Sequence, residues 1–293
     1  MLKTRLWMGT LLAALTLGML LLDGYFAPWY PFLFAFLSLA GQLACWELRG
    51  LFSGERRPSA LLCHLGLQAI IVANWVWVFA LRFPDEVYLI DTPPLVLGLL
   101  ALLLILAFLR EIAIFQTPGD AVTRVALTMF VLVYLGVLAS FLPHLRWRLF
   151  PDKQSILALI IAIFVPKCCD IGAYFTGRLA GAHRMTPLLS PKKTWEGAAG
   201  GLVLGVVVAV VVSLYGNHPP YYLIKAVALG VALSVMGMSG DLAESLLKRE
   251  AQKKDASQVV PGFGGILDVV DSVLFAAPLS FAWLTTTRLS PLG

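Results

Sequence analysis

Gly197-Ala-Ala-Gly-Gly-Leu-Val-Leu-Gly-Val-Val-Val-Ala-Val-Val-Val-Ser-Leu214 contains no charged residue and no alternation of polar with apolar positions. Such a run approaches the roughly 20 residues that a helix needs to cross a bilayer. Its continuity argues for a helix over a barrel strand, because backbone groups in hydrocarbon must bond within their own segment. Outward from it, comparable runs lie near 6–22, 30–47, 61–81, 95–109, 125–142, 155–175, 224–240 and 265–284. The expected fold is therefore all-α, a polytopic transmembrane helix bundle of about nine spans. The 293 residues are 59% hydrophobic and 13% charged, with a mean hydropathy of +0.84. An ordinary soluble domain is about 25% charged, so a soluble fold could not hide this much apolar surface. The spans divide into N-terminal transmembrane helices over 1–150 and a C-terminal transmembrane region over 151–293, which holds nearly every polar motif.

Charge placement sets the expected orientation. Lys3 and Arg5 precede the first run as in a signal peptide, but no small-x-small cleavage pattern follows at Leu22-Asp23-Gly24-Tyr25, and the run reads as a permanent span. With that end in the cytoplasm, the inward loops hold most basic residues, among them Arg49, Arg56, Arg57, Arg110, Arg124, Arg178, Lys192, Lys193, Lys248, Arg249 and Lys254. The outward side holds Arg82, Arg146, Arg148, Lys153, Lys225 and Arg288, and Lys167 falls inside a span. This asymmetry follows the positive-inside rule, with the loop of Arg146, Arg148 and Lys153 running against it. The net charge of +5 is thus a topological signal and not a nucleic-acid footprint. Cys45, Cys63, Cys168 and Cys169 have no metal-binding spacing and read as packing thiols. Two polar stretches, 176–196 and 241–263, are expected as loops on the cytoplasmic side.

Those stretches carry the chemistry. From Gly240, Asp241, Glu244, Ser245 and Lys248 share one helical face. Such a stripe suits a divalent cation held beside a phosphate, or equally a solvated face with internal ion pairs. After Lys254-Asp255 comes Pro261-Gly-Phe-Gly-Gly-Ile-Leu-Asp-Val-Val-Asp271. Asp268 and Asp271 head an apolar run, where carboxylates are costly and demand a partner. Gly264 and Gly265 allow a backbone or phosphate to approach, or serve helix packing. In Ser190-Pro-Lys-Lys-Thr-Trp-Glu-Gly197, Ser190 or Thr194 is a candidate helix N-cap with Pro191 at a first helical position. Lys192 and Lys193 there suit an anion at a helix start, or lipid headgroups. Lys167 and Asp170 are three apart on one face, either neutralising each other or functional.

The ordered combination Asp170-x-x-Ala-Tyr-Phe-x-Gly, Ser190-Pro-x-Lys-Thr-Trp-Glu-Gly, Gly240-Asp-x-x-Glu-Ser-x-x-Lys-Arg and Pro-Gly-x-Gly-Gly-x-x-Asp-x-x-Asp271 resembles the phosphatidate cytidylyltransferase (CDP-diacylglycerol synthase) family from about residue 165 onward. Phe263 and Val269 stand where that pattern usually has His and Arg. The resemblance implies that CTP and phosphatidic acid give CDP-diacylglycerol and pyrophosphate. It also implies Mg²⁺ on Asp241 and Asp268, with Asp271 and Glu244 near, and Asp241, Asp268, Lys248 and Asp271 as the catalytic set. Lys192, Lys193, Lys248, Arg249 and Lys254 would bind phosphates of CTP or lipid. Asp170, Ser190, Thr194, Glu196, Glu244, Ser245, Asp255, Gly264 and Gly265 would complete the substrate site. Expected partners are CTP, phosphatidic acid and membrane lipids, with no nucleic acid; the sequence leaves a homodimer open. The expected location is a bacterial cytoplasmic membrane with the site facing the cytoplasm. The rival readings are a CTP-dependent lipid kinase of polyprenol type and a multi-span transporter.

Overall fold

A computed structural model of the protein describes residues 2–82, 92–147, 152–215, 222–261 and 264–288. Among them are nine helical stretches long and apolar enough to cross a membrane, close to the runs expected from hydropathy. The protein is an integral membrane protein built almost wholly of helices. It divides into two compact units, Met1–Pro143 with Asp255–Leu267, and His144–Lys254 with Asp268–Gly293.

The first unit contains α1 (Leu2–Asp23), α2 (Pro31–Leu51), α3 (Ala60–Arg82), α4 (Thr92–Ala113) and α5 (Ala121–Val131), continued by a π turn over Leu132–Val137 into α6 (Leu138–Trp147). Buried Asp23 accepts hydrogen bonds from Phe32 N–H at 2.9 Å and Leu33 N–H at 3.2 Å. It thereby satisfies donors that the start of α2 would otherwise leave unpaired. At one end of this unit Arg56 pairs with Asp120 at 3.3 Å, and Arg124 reaches both Glu111 at 2.6 Å and the Glu55 carbonyl at 3.0 Å. The loops expected inward around residues 55 and 120 therefore do meet. Cys45 and Cys63 are fully buried free thiols, as their placement in apolar runs predicts.

The second unit holds the end of α6, α7 (Asp152–Ala180), a hairpin of β1 (Arg184–Thr186) and β2 (Ser190–Thr194), α8 (Trp195–Tyr215), α9 (Tyr222–Glu250) and most of α10 (Leu267–Arg288). Its core gathers Ile161 and Val165 of α7, Ala209 of α8, Leu229 and Leu233 of α9 and Ala276 of α10. The run that opened the sequence analysis becomes α8, and its buried residues are Gly197, Gly201, Gly205 and Ala209, one per turn. A Cβ on Gly201 would lie 2.6 Å from the Cys169 carbonyl of α7, and one on Gly205 would lie 2.1 Å from Ser234 Oγ of α9. The small stripe thus lets neighbouring backbones close in, while Val203, Val207 and Val211 face outward, as lipid-facing positions do.

Three expectations change. Residues 241–250 are not a loop, because α9 runs on to Glu250. The segment 176–196 is a helix end and a hairpin, so Ser190 and Pro191 lie in a strand and not at a helix start. Thr194 caps instead, its Oγ1 accepting from Gly197 N–H at 3.1 Å. Finally, Arg146 is 1% exposed and bonded to Ser155, so it is an internal group and not one of the surface charges that ran against the orientation rule. Arg148 lies outside the described residues.

Candidate active site

The polar stripe of α9 packs inward. Glu244 is 1% exposed, and Ser245 and Lys248 are buried, which a solvated face would not show. Lys248 bridges two carboxylates, contacting Glu244 one turn away and Asp268 of α10 at 2.6 Å. Backbones come close here because Gly240 has no side chain: a Cβ at that position would stand 2.5 Å from the Asp271 carbonyl. The glycine before Asp241 is what lets α10 bring Asp271 alongside α9.

One ligand atom from each of Asp241, Glu244 and Asp271 lies within 4.8 Å of the others. Glu244 Oε1 is buried and has no hydrogen-bond partner among the described residues, a costly state for a carboxylate oxygen. Hard divalent cations take oxygen ligands, with carboxylate–Mg²⁺ distances of about 2.0–2.1 Å, so small side-chain movements would close these three groups on one ion. The donor set fits such a cation. Asp268, expected beside Asp241 as a metal ligand, pairs with Lys248 at 2.6 Å, and the three carboxylates whose ligand atoms gather most closely are Asp241, Glu244 and Asp271.

Two more elements of the second unit supply charge. Lys193 of β2 pairs with Asp241 at 2.6 Å. Lys167 of α7 contacts Asp271 at 3.1 Å and Asp170 at 3.4 Å. Ser272 ties these together, donating from Oγ to Asp170 at 3.0 Å and from its backbone to Asp271 at 2.6 Å. The span-embedded pair Lys167–Asp170 is therefore part of the carboxylate cluster and does more than neutralise itself.

Other expected site residues make contacts within the second unit. Glu196 accepts from Ala182 N–H at 3.1 Å and contacts His183 Nδ1 at 2.6 Å, clasping the loop before β1 to the start of α8. Arg249 reaches the Leu189 carbonyl at 3.2 Å and the Lys253 carbonyl at 3.1 Å, tying the hairpin turn to the end of α9. Lys192 and Lys254 are exposed, Ser190 is half-buried in β2, and Val269 is half-buried in the first turn of α10. Phe263 lies outside the described residues.

Asp255, Gly264 and Gly265 belong to the first unit. Asp255 is exposed there. Gly264 has φ of +112°, a conformation that side chains disfavour. The group that approaches Gly265 is the carboxylate of Glu47, since a Cβ would lie 2.4 Å from Glu47 Oε2. Glu47, from α2, is 2% exposed and accepts from Ser257 Oγ at 2.6 Å, Ile266 N–H at 2.9 Å and Leu267 N–H at 2.8 Å. It caps the start of α10 from far away in sequence. Hydropathy places Glu47 at the end of a span and assigns it no role; its one signal in the sequence is a carboxylate at the edge of an apolar run.

Comparison with known proteins agrees with these motifs and extends them. The model of the cytidylyltransferase family matches residues 3–287, so the N-terminal spans belong to the same pattern as the polar C-terminal half. A phosphatidate cytidylyltransferase of Bacillus subtilis (strain 168) is 38% identical over 150 residues, covering 51% of this chain and 54% of the relative. One from Haemophilus influenzae is 33% identical over 183 residues, covering 61% and 62%, and one from Mycobacterium bovis is 36% identical over 177 residues, covering 59% and 54%. The chain thus spans little more than half the length of the curated relatives it matches. With nearly every residue inside the family pattern, and the acidic stripe, hairpin lysines and paired aspartates gathered in one folded unit, this chain belongs to the cytidylyltransferase family.

Proposed function

We propose that the protein transfers the cytidylyl group of CTP to phosphatidic acid, releasing pyrophosphate and leaving CDP-diacylglycerol in the membrane. The observation that carries this reading is the cluster of Asp241, Glu244 and Asp271, with its unpartnered Glu244 oxygen, ringed by Lys167, Lys193 and Lys248. A phosphate oxygen of the lipid forms a bond to the α-phosphorus of CTP, and the bond from that phosphorus to the α–β bridging oxygen breaks. The nucleophile is already largely ionised near neutral pH, so no dedicated base is required. The work of the site is positioning and charge neutralisation.

Asp241, Glu244 and Asp271 would hold Mg²⁺, which supplies stabilisation of the charge that develops on the departing pyrophosphate. Lys193 holds its buried ammonium on Asp241 at 2.6 Å and would exchange that carboxylate for a phosphate of CTP. Lys248 holds Asp268 and Glu244 at fixed separation from α9. Relatives named phosphatidate cytidylyltransferase support the same substrates. A bacterial cytoplasmic membrane, with the site at its inner face, accords with soluble CTP and with the placement of basic loops.

Purified protein in detergent, supplied with phosphatidic acid, CTP labelled on the α-phosphate and Mg²⁺, should form labelled CDP-diacylglycerol and equimolar pyrophosphate. Chelation should abolish both. Release of CDP with a phosphorylated lipid would assign a kinase instead, and no lipid labelling would overturn the proposal.

A further inference from the structure

We infer that Arg49 anchors an anion site in the first unit, one that takes the phosphate of an anionic membrane phospholipid. Arg49 stands two residues before the end of α2 and is only 7% exposed. Among the described residues it meets no carboxylate: Nε and Nη2 each donate to the Pro58 carbonyl at 3.3 Å, and Nη1 lies 3.4 Å from His64 Nε2. One tautomer of His64 satisfies both of its contacts, donating from Nδ1 to Gln42 Oε1 at 2.7 Å and accepting from Arg49 at Nε2, so the ring brings no negative charge. Buried Lys248, by contrast, has Glu244 and Asp268 against it. A buried guanidinium with neutral partners only is a charge in want of a counter-ion. Its three contacts leave two of the five guanidinium N–H groups for one.

Position and surroundings make that counter-ion a lipid. The apolar stretch that forms α2 ends at Leu51 and the next begins at Gly54, which puts Arg49 at the depth of the headgroups. Arg57, exposed in the connection between them, adds a second cation one residue before Pro58. Deeper along α2, two and three turns back from Arg49, a row of half-buried polar groups joins α2 to α3. Gln42 Nε2 donates to the His64 carbonyl at 3.0 Å, and Gln68 Nε2 to Ser38 Oγ at 3.1 Å. Trp46 follows Gln42 by four residues, and Leu61 and Leu65 precede His64 and Gln68 by three, so apolar side chains border the polar row on both helices. All three are more than half exposed, as groups that meet acyl chains are. A cationic end, a polar seam and apolar rims match a phosphate, its glycerol esters and its acyl chains in that order. Arginine suits the first of these because its planar fork pairs with phosphate oxygens through two parallel hydrogen bonds.

The test is the thermal melt of the full-length protein in detergent micelles doped with phosphatidylglycerol, which is anionic, or phosphatidylcholine, which is zwitterionic, beside native mass spectrometry of the lipid retained. The wild type should melt on the order of 5 °C higher with phosphatidylglycerol, and should retain that lipid in preference to phosphatidylcholine. R49M exchanges the buried charge for an apolar chain, and should melt at the same temperature in both micelles. Its affinity for phosphatidylglycerol should fall about tenfold or more, the equivalent of one charged hydrogen-bonded contact. R57Q, at an exposed position where folding is not at stake, should lose about half of the lipid shift, and it carries the test where R49M does not accumulate. A lipid shift that survives either substitution would make Arg49 only a tie between α2 and α3 and overturn the inference. Equal melts of the wild type in the two lipids, or the same stabilisation from inorganic phosphate alone, would overturn it as well.

Discussion

Replacement of Asp241 by Asn is expected to lower CTP-dependent pyrophosphate release by about a thousandfold or more, the rate equivalent of losing several kcal/mol of metal-borne charge stabilisation. The substitution keeps the size of the side chain and removes the charge that faces both Lys193 and the other two carboxylates. Folding should be little affected, because Asp241 is only half-buried and ends no helix. The check is single-turnover pyrophosphate release beside a thermal melt of the same preparation. Turnover within about tenfold of wild type, with an unchanged melt, would remove Asp241 from the metal site.

Glu47→Ala is expected to act on stability. It strips acceptors from Ser257 Oγ and from the backbone N–H groups of Ile266 and Leu267, all satisfied by one buried carboxylate. Each buried donor left unpaired costs about 1–3 kcal/mol, so a loss of about 3–5 kcal/mol is expected. At this chain length that is a fall in melting temperature on the order of 10 °C. Glu47→Gln retains an acceptor and should fall between. A melt within about 2 °C of wild type for the Ala variant would show that water or a neighbouring group replaces the carboxylate.

Both residues bear on how much of the molecule was legible in its sequence. The spans were, because a bilayer demands long uninterrupted apolar runs, and the described helices fall where those runs do. Span ends were less so. α9 continues past the last apolar turn to Glu250, since Glu244 and Lys248 find buried partners that a hydropathy window cannot see. The α9 stripe itself was legible from its spacing of three and four, and the structure settles that it faces inward. The hairpin was not: Ser190–Thr194 is short, carries two lysines and shows no alternation, so nothing marked it as a strand. Its pairing with β1 brings Lys193 to Asp241. Lys167 was half-legible, as an ionisable group in a span invites a partner, but only the fold shows that Asp271 joins Asp170 in that role. Glu47 shows the limit most clearly, because its partners lie some two hundred residues away along the chain.

The central claim is that one cation sits among carboxylates drawn from α9 and α10. Crystals of the protein grown with Mn²⁺ and measured at the manganese absorption edge would locate it directly. The account predicts one anomalous peak within about 2.5 Å of oxygens from Asp241, Glu244 and Asp271. A peak held by Asp268 away from Glu244 and Asp271, or no peak at this cluster in a preparation active with Mn²⁺, would contradict it.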